Sequence, residues 1–168
     1  MRIDDRAMRI LVLILAALML TGASARADED EKASTDLAEL MPACGLKYSV
    51  NKDLPNVWIV PFDTTAGGTM DVYVTYNDDG KAFALVFATL VDEEPSYTFS
   101  RELLLEAMKF NNDWPGVKLV YDAEHGDIDC QTEVYLKGGT VTPEVLADLI
   151  NNLAARADEV QARLQALK

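Results

Sequence analysis

The sequence predicts an α+β domain built on an antiparallel sheet of about five strands with three helices, in the order helix, three strands, helix, hairpin, helix. Two kinds of observation predict it. Segments of period-two alternation sit between turn residues, and separate segments carry apolar residues at steps of three and four behind capping residues. The folded part is also short enough for a single core.

Residues 1–27 read as a secretory signal peptide. Arg2, Arg6 and Arg9 precede an apolar run from Ile10 to Leu20, and Ala25-Arg26-Ala27 forms a small-residue cleavage site. Asp4 and Asp5 sit oddly in such a leader, so Met8 is an alternative start. The run is too short to span a bilayer, so no stable membrane insertion is expected after cleavage. The product is expected to be periplasmic or secreted. Residues 28–33 form an acidic tail, and residues 34–168 form one α+β domain.

The whole chain carries a formal charge of −13. The leader, with four arginines and two aspartates, carries +2, so the mature chain stands at −15. Such a field repels nucleic acid and anionic lipid, leaving basic or neutral partners.

In chain order, Ser34 or Thr35 caps a short helix through Leu37, Leu40 and Met41. Extended pieces follow at Leu46 to Val50 and Val57 to Phe62, separated by Pro55-Asn56. Thr69 to Tyr76 and Ala82 to Val91 form a hairpin. A two-residue Asp79-Gly80 turn would put Met70, Val72, Val74 and Tyr76 on one face with Phe83, Leu85 and Phe87. Tyr73, Ala84, Val86 and Ala88 then share the other face, a flat, half-apolar surface fit for a docked helix or partner. A three-residue turn would instead set the phenylalanines beside Asp71 and Thr75.

Ser100 caps a helix from Arg101 to Asn112, with Leu103, Leu104, Ala107 and Met108 as its buried stripe and Leu105 widening it. Trp114, in the turn that follows, either packs over a core edge or anchors a partner. The last helix is capped by Thr142, starts at Pro143, and stacks Leu146, Leu149, Leu153, Ala157, Val160, Leu164 and Leu167. Beyond Asp158 this stripe could extend into a dimer or partner seam.

Between these helices lies "YDAEHGDIDC", residues 121–130, which holds the single histidine among four carboxylates. A two-residue His125-Gly126 turn places Val117, Leu119, Tyr121 and Ala123 with Ile128, Cys130, Thr132 and Val134 on the core face. Asp122, Glu124, Asp127 and Asp129 then gather on the wet face, with Asp122 opposite Asp129 and Lys118 opposite Glu133. Opposed like charges are unfavourable, which makes these four residues candidates for a cation site. The spacing does not match a calcium loop, and a solvated turn is favoured. Cys130 points inward and His125 sits at a turn tip, so the pair is not a nucleophile and its base.

Phosphate-cradling loops, dinucleotide fingerprints and G-x-S-x-G or H-E-x-x-H motifs are missing from the sequence, so neither cofactor nor enzymatic activity is expected. Cys44 and Cys130 form either one long-range disulfide or two buried thiols.

"LLEAMKFNN" at Leu104 to Asn112, the strand pair with its acidic turn, and "YLKGGTVTPEVLADLINNLAARADEV" at Tyr135 to Val160 resemble the YbjN-like family of bacterial sensory transduction regulators. The resemblance implies a fold like type III secretion chaperones, often paired as a homodimer, that holds a protein partner and performs no reaction. The signal peptide and the cysteines depart from that pattern.

The sequence thus predicts an exported module that binds a protein or peptide, with Tyr73, Ala84, Val86, Ala88, Leu105 and Trp114 as candidate contacts. A cation-binding or envelope-stress protein using the turn at residues 122–129 is the alternative. A hydrolase with an unrecognised site is the third.

Overall fold

The structure is a computed structural model that describes residues 36–77, 80–95 and 97–168. The expected signal peptide and acidic tail, and the Ser34 and Thr35 caps, lie outside these residues. The described residues belong to one compact unit, Ala33–Lys168.

Helix α1 spans Leu37–Ala43, α2 Arg101–Asp113 and α3 Pro143–Gln165. The strands are β1 Ser49–Val50, β2 Trp58–Asp63, β3 Thr69–Tyr76, β4 Phe83–Val91, β5 Lys118–Asp122 and β6 Asp127–Tyr135. They form one antiparallel six-stranded sheet in the order β1-β2-β3-β4-β6-β5. The sixth strand is the two-residue β1 at one edge.

Alternation along each strand sends one set of side chains into the core. Trp58 and Val60 of β2, Met70, Val72 and Val74 of β3, Ala84, Val86, Ala88 and Leu90 of β4, and Ile128, Cys130 and Thr132 of β6 are buried. The long helix α3 lies across β4, β6 and β3 and buries Leu146, Ile150, Leu153, Ala154, Ala157, Val160 and Leu164. Ile150, not Leu149, takes the core position. Val160 and Leu164 are fully enclosed, so no free seam continues past Asp158.

Helix α2 packs on β5 and α3 with Leu103, Ala107 and Phe110 buried. Leu104, Leu105 and Met108, expected in its stripe, are exposed instead. Phe110 displaces them because it meets Trp114 edge-on at 4.6 Å, and Arg156 and Arg163 of α3 lie over the Trp114 and Phe110 rings. Trp114 is therefore a packed core edge.

Asp36, not Ser34 or Thr35, caps α1 by accepting from the Ala38 amide at 2.9 Å. The Tyr76 hydroxyl, at the end of β3, donates to the Asp36 carboxylate and accepts from the Leu37 amide. Burial and that carboxylate push Tyr76 up to about 12. One phenol thus ties α1 to the sheet.

Both sheet edges resist strand addition. Past the short pairing with β1, β2 carries Pro61, which has no N–H to offer. On β5 the Asn111 carboxamide accepts from the Leu119 N–H at 2.7 Å and donates to its C=O at 2.9 Å, occupying the outward-facing backbone there.

The β3–β4 register overturns the expected hairpin. Tyr76 pairs with Ala84, Val74 with Val86 and Tyr73 with Phe87, and the Asn77 amide donates to the Phe83 carbonyl. The connection therefore runs over residues 78–82, and the odd loop length reverses every side chain of β4 relative to the two-residue turn. Phe83, Leu85 and Phe87 share a face with Tyr73 and Thr75, while Ala84, Val86 and Ala88 lie at 0% exposure beneath α3.

This placement yields a direct test. Val86→Asp would bury an unpaired carboxylate, and it is expected to cost more than about 4 kcal/mol and leave no folded monomer. Circular dichroism melting checks it, and a folded, cooperatively melting product would contradict the register.

Candidate functional site

The tip of the second hairpin keeps the predicted faces but not the predicted partners. Asp122 pairs with Asp127, Tyr121 with Ile128, Val120 with Asp129, Leu119 with Cys130 and Lys118 with Gln131. The loop holds four residues, 123–126, and is closed by the Gly126 amide donating to the Asp122 carbonyl at 2.8 Å. The longer loop shifts the register by two residues, which preserves the faces while parting Asp122 from Asp129 and Lys118 from Glu133.

Gly126 has φ +87°, and a Cβ there would stand 2.5 Å from the Glu93 carbonyl oxygen. Glycine is needed both for the backbone conformation and for the close approach of this tip to residues 93–94.

Asp122 organises the tip itself. Its carboxylate accepts from the Glu124 amide at 2.9 Å and contacts the His125 Nδ1 at 2.9 Å. The imidazole raises its own proton affinity through that bond and holds Asp122 below the usual carboxylate range. The His125 side chain is 66% exposed, so the pair orders a surface turn and adds little to stability. Asp129 points elsewhere and accepts from the Thr89 hydroxyl at 2.8 Å. Among the described residues no three carboxylate, histidine or cysteine side chains form a metal-holding group, so Asp122, Glu124, Asp127 and Asp129 are not drawn together as one cation site.

The cysteines are both free thiols, which corrects the bridge considered for Cys44 and Cys130. Cys44 follows α1, and its Sγ donates to the Pro143 carbonyl at 3.2 Å, at the start of α3. Cys130 sits mid-strand between Ala88 and Leu119. Burial pushes Cys44 up to about 11 and Cys130 up to about 12, so neither is a thiolate nucleophile at neutral pH.

The candidate site is the face of the sheet turned away from the helices. Among the described residues no helix covers it. Tyr73 and Phe87 stack at its centre, with ring centroids 5.1 Å apart and planes 20° from parallel. Ile59 pairs with Tyr73 on the β2 side, and Gln131 and Lys118 continue the row through β6 and β5. Leu85 stands one step along β4 towards the loop at residues 78–82. Beyond it, Phe83 meets Tyr135 at 5.0 Å, and both rings are exposed.

Carboxylates border this apolar row. Asp71 and Asp129 lie in the next row on one side, and Glu133, which accepts from Asn77, lies opposite Leu85 on the other. Burial raises the Asp129 carboxyl above the usual range despite its bond from Thr89, and nearby Asp127 and Asp122 add to the rise.

Of the residues expected to contact a partner, Tyr73 alone belongs to this face. Ala84, Val86 and Ala88 are core. Leu105 and Trp114 lie on the helix side, where Leu105 borders a shallow hollow of about 610 Å³ with Met108, Lys109 and Leu167. Phe83, Leu85, Phe87 and Tyr135 were the missed members. The alternative turn length that set the phenylalanines beside Asp71 and Thr75 was the signal for the first three.

No family model matches the chain, and no curated protein matches it. Among solved structures, the chain is similar to the HopA1–SchA chaperone–effector complex, with 12% identity, 74% of this chain and 88% of that one covered, and a TM-score of 0.49. It is similar to the ExsC–ExsE complex at 17% identity, with 76% and 90% covered and a TM-score of 0.48. It is also similar to the heterodimeric ExoU–SpcU complex from the type III secretion system of Pseudomonas aeruginosa, at 17% identity, with 79% and 97% covered and a TM-score of 0.48. At these identities the likeness is one of fold alone, and with TM-scores below 0.5 nothing about partner or activity follows from it.

Two titrations test the electrostatics. Because Asp129 is raised in the folded state, its ionised form costs stability at neutral pH, and the cost disappears as pH falls through the raised value. Asp129→Asn keeps an acceptor for Thr89. After discounting for solvent screening, it is expected to raise the melting temperature by about 2 °C at pH 7 and by nothing at acid pH.

For His125, the sign is opposite. Its bond to Asp122 contributes below the ordinary imidazole value of about 6.5 and is lost as pH rises through the raised folded value. An NMR titration is expected to place His125 above about 6.5, and Asp122→Asn to return it there.

Proposed function

We propose that this chain is an exported, non-enzymatic module that holds a protein or peptide partner on the uncovered face of its sheet. The observation that carries the reading is the uncovered aromatic and aliphatic row formed by Tyr73, Phe87 and Leu85, which are half-buried against one another, and by the exposed Phe83 and Tyr135. Apolar area of this kind on one side of a sheet is commonly covered by a further layer or by a partner. Among the described residues the chain supplies no such layer.

The edges favour the same choice of surface. Pro61 and the Asn111 cap disfavour recognition by strand addition, which favours the face over the edges. Export is supported by the arginine-flanked apolar leader and its Ala25-Arg26-Ala27 site. The wording of residues 104–112 and 135–160 supports a YbjN-like, regulatory or chaperone-like role. Neither thiol nor the exposed His125–Asp122 pair offers an activated nucleophile, which supports binding over chemistry.

A photo-crosslinking amino acid placed at position 87, at position 85, or at the helix control Asp148 tests the surface in cells. The first two are expected to give the same discrete adduct and the control none. An adduct of twice the chain's mass would identify a homodimer. Equal labelling from position 148 would contradict the assignment of the face.

A further inference from the structure

We infer that the uncovered sheet face takes a basic amphipathic segment of a protein partner, with its apolar side chains on the Tyr73–Phe87 stack and its lysine or arginine heads on the bordering carboxylates. The inference rests on the reading of this face as the docking surface and adds the chemistry of what docks.

The charge layout carries it. Strand alternation brings Asp63, Asp71, Asp122, Asp127, Asp129 and Glu133 to this side of the sheet, and of the lysines and arginines in the six strands only Lys118 joins them. Lys118 itself donates to the Asn111 carbonyl at 2.8 Å, which holds it towards the sheet edge. Successive rows on one face lie roughly 7 Å apart, so a long basic side chain anchored over the aromatic row reaches the row of Asp71 and Asp129 on one side or Glu133 on the other.

Asp129 is the most telling of these groups. It lies in the row beside the Tyr73–Phe87 stack, where burial partly desolvates it; it accepts from the Thr89 hydroxyl, His125 offsets its charge only weakly, and among the described residues no ion pair with a lysine or arginine is formed there. A carboxylate already stripped of part of its water loses less on contact with a cationic head, so the pairing gains more there than at an open surface.

The same charges count against other occupants. A second copy applied face to face would set these carboxylates against each other. Nucleic acid and anionic lipid are repelled by them and by the mature charge of −15.

The test uses the mature chain and short fluorescent synthetic peptides, in alternating and in helical amphipathic patterns, read by anisotropy. Each pattern is made with the same Leu and Phe positions and with Lys, Gln or Glu at every polar position. The Lys peptide of at least one pattern is expected to bind roughly tenfold more tightly than its Gln counterpart, the Glu peptide not to bind, and the difference to collapse between roughly 50 and 500 mM salt. Phe87→Ser and the pair Asp129→Asn with Glu133→Gln should each weaken the Lys peptide roughly fivefold or more, while Asp148→Asn on α3 leaves it unchanged.

If the Lys and Gln peptides bind equally and Phe87→Ser weakens both, the charge inference is overturned and the docking face stands. If Lys-peptide binding ignores Phe87→Ser, or no peptide of either pattern binds, both fall. The melting temperature of each variant separates lost binding from lost folding.

Discussion

Everything in this fold depends on the packing of α3 on β4. The helix buries Ala154 and Ala157 and β4 buries Ala84, Val86 and Ala88, so both elements bring small side chains to the core they share. Such side chains let a helix approach a sheet more closely than two leucine faces would, and close approach brings many weak dispersion contacts into range. Leu146, Ile150, Leu153 and Leu164 fill the rest of the helix's buried side. The constraint is strict in parity. Once the alanines and Val86 face the helix, the residues between them must face away, however large and apolar they are.

The open aromatic face is therefore a consequence of the core. Phe83, Leu85 and Phe87 could not be accommodated against α3 without forcing it outward, and overpacking of that kind destabilises a core. On the outer side Tyr73 stacks on Phe87 and Phe83 meets Tyr135 at a tilt of 53°, pairings worth about 0.5–1.5 kcal/mol each, so they recover some of the loss of leaving apolar rings in solvent. They also hold the rings against one another, which reduces the ordering cost to anything that docks on them.

Much of this was legible in the sequence. The bounds of β3, the Ser100 and Thr142 caps, Pro143 at the first turn of α3 and both faces of β6 follow from local chemistry that tertiary packing did not override. The faces of β4 were not legible in the same way. With Phe83, Leu85 and Phe87 on one side and Ala84, Val86 and Ala88 on the other, both sides are apolar, and the larger residues suggest the core when it is the smaller ones that fit. Only the length of the connection decides, and the Asn77-Asp78-Asp79-Gly80 turn signal does not reveal that it extends to residue 82. Helix α2 failed similarly. Leu104 and Met108 are as apolar as Leu103, and it is Phe110, drawn in by Trp114 and Arg163, that sets which stripe is buried. The candidate site was therefore visible as a composition and hidden as a surface.

The acidic hairpin sets a cost in stability on the face proposed for docking. At its tip, Gly126 lets the loop touch the backbone of residues 93–94, bringing Asp92 and Asp127 close enough to raise the Asp127 carboxyl, after burial, above its usual range. One step inward, Asp129 is raised again by burial. Two neighbouring carboxylates held at a cost to folding are a local conflict of a kind that a sequence selected for stability alone would remove, since an amide at position 129 could keep the Thr89 bond. Conflicts of this sort collect at functional sites. Here the conflict lies beside the aromatic stack and on the same face, where a bound cation would relieve it, while the opposite face contains the packing that makes the domain stable. The sheet thus keeps its core and the proposed docking face on opposite sides of the same strands, and changes on one side need not disturb the other.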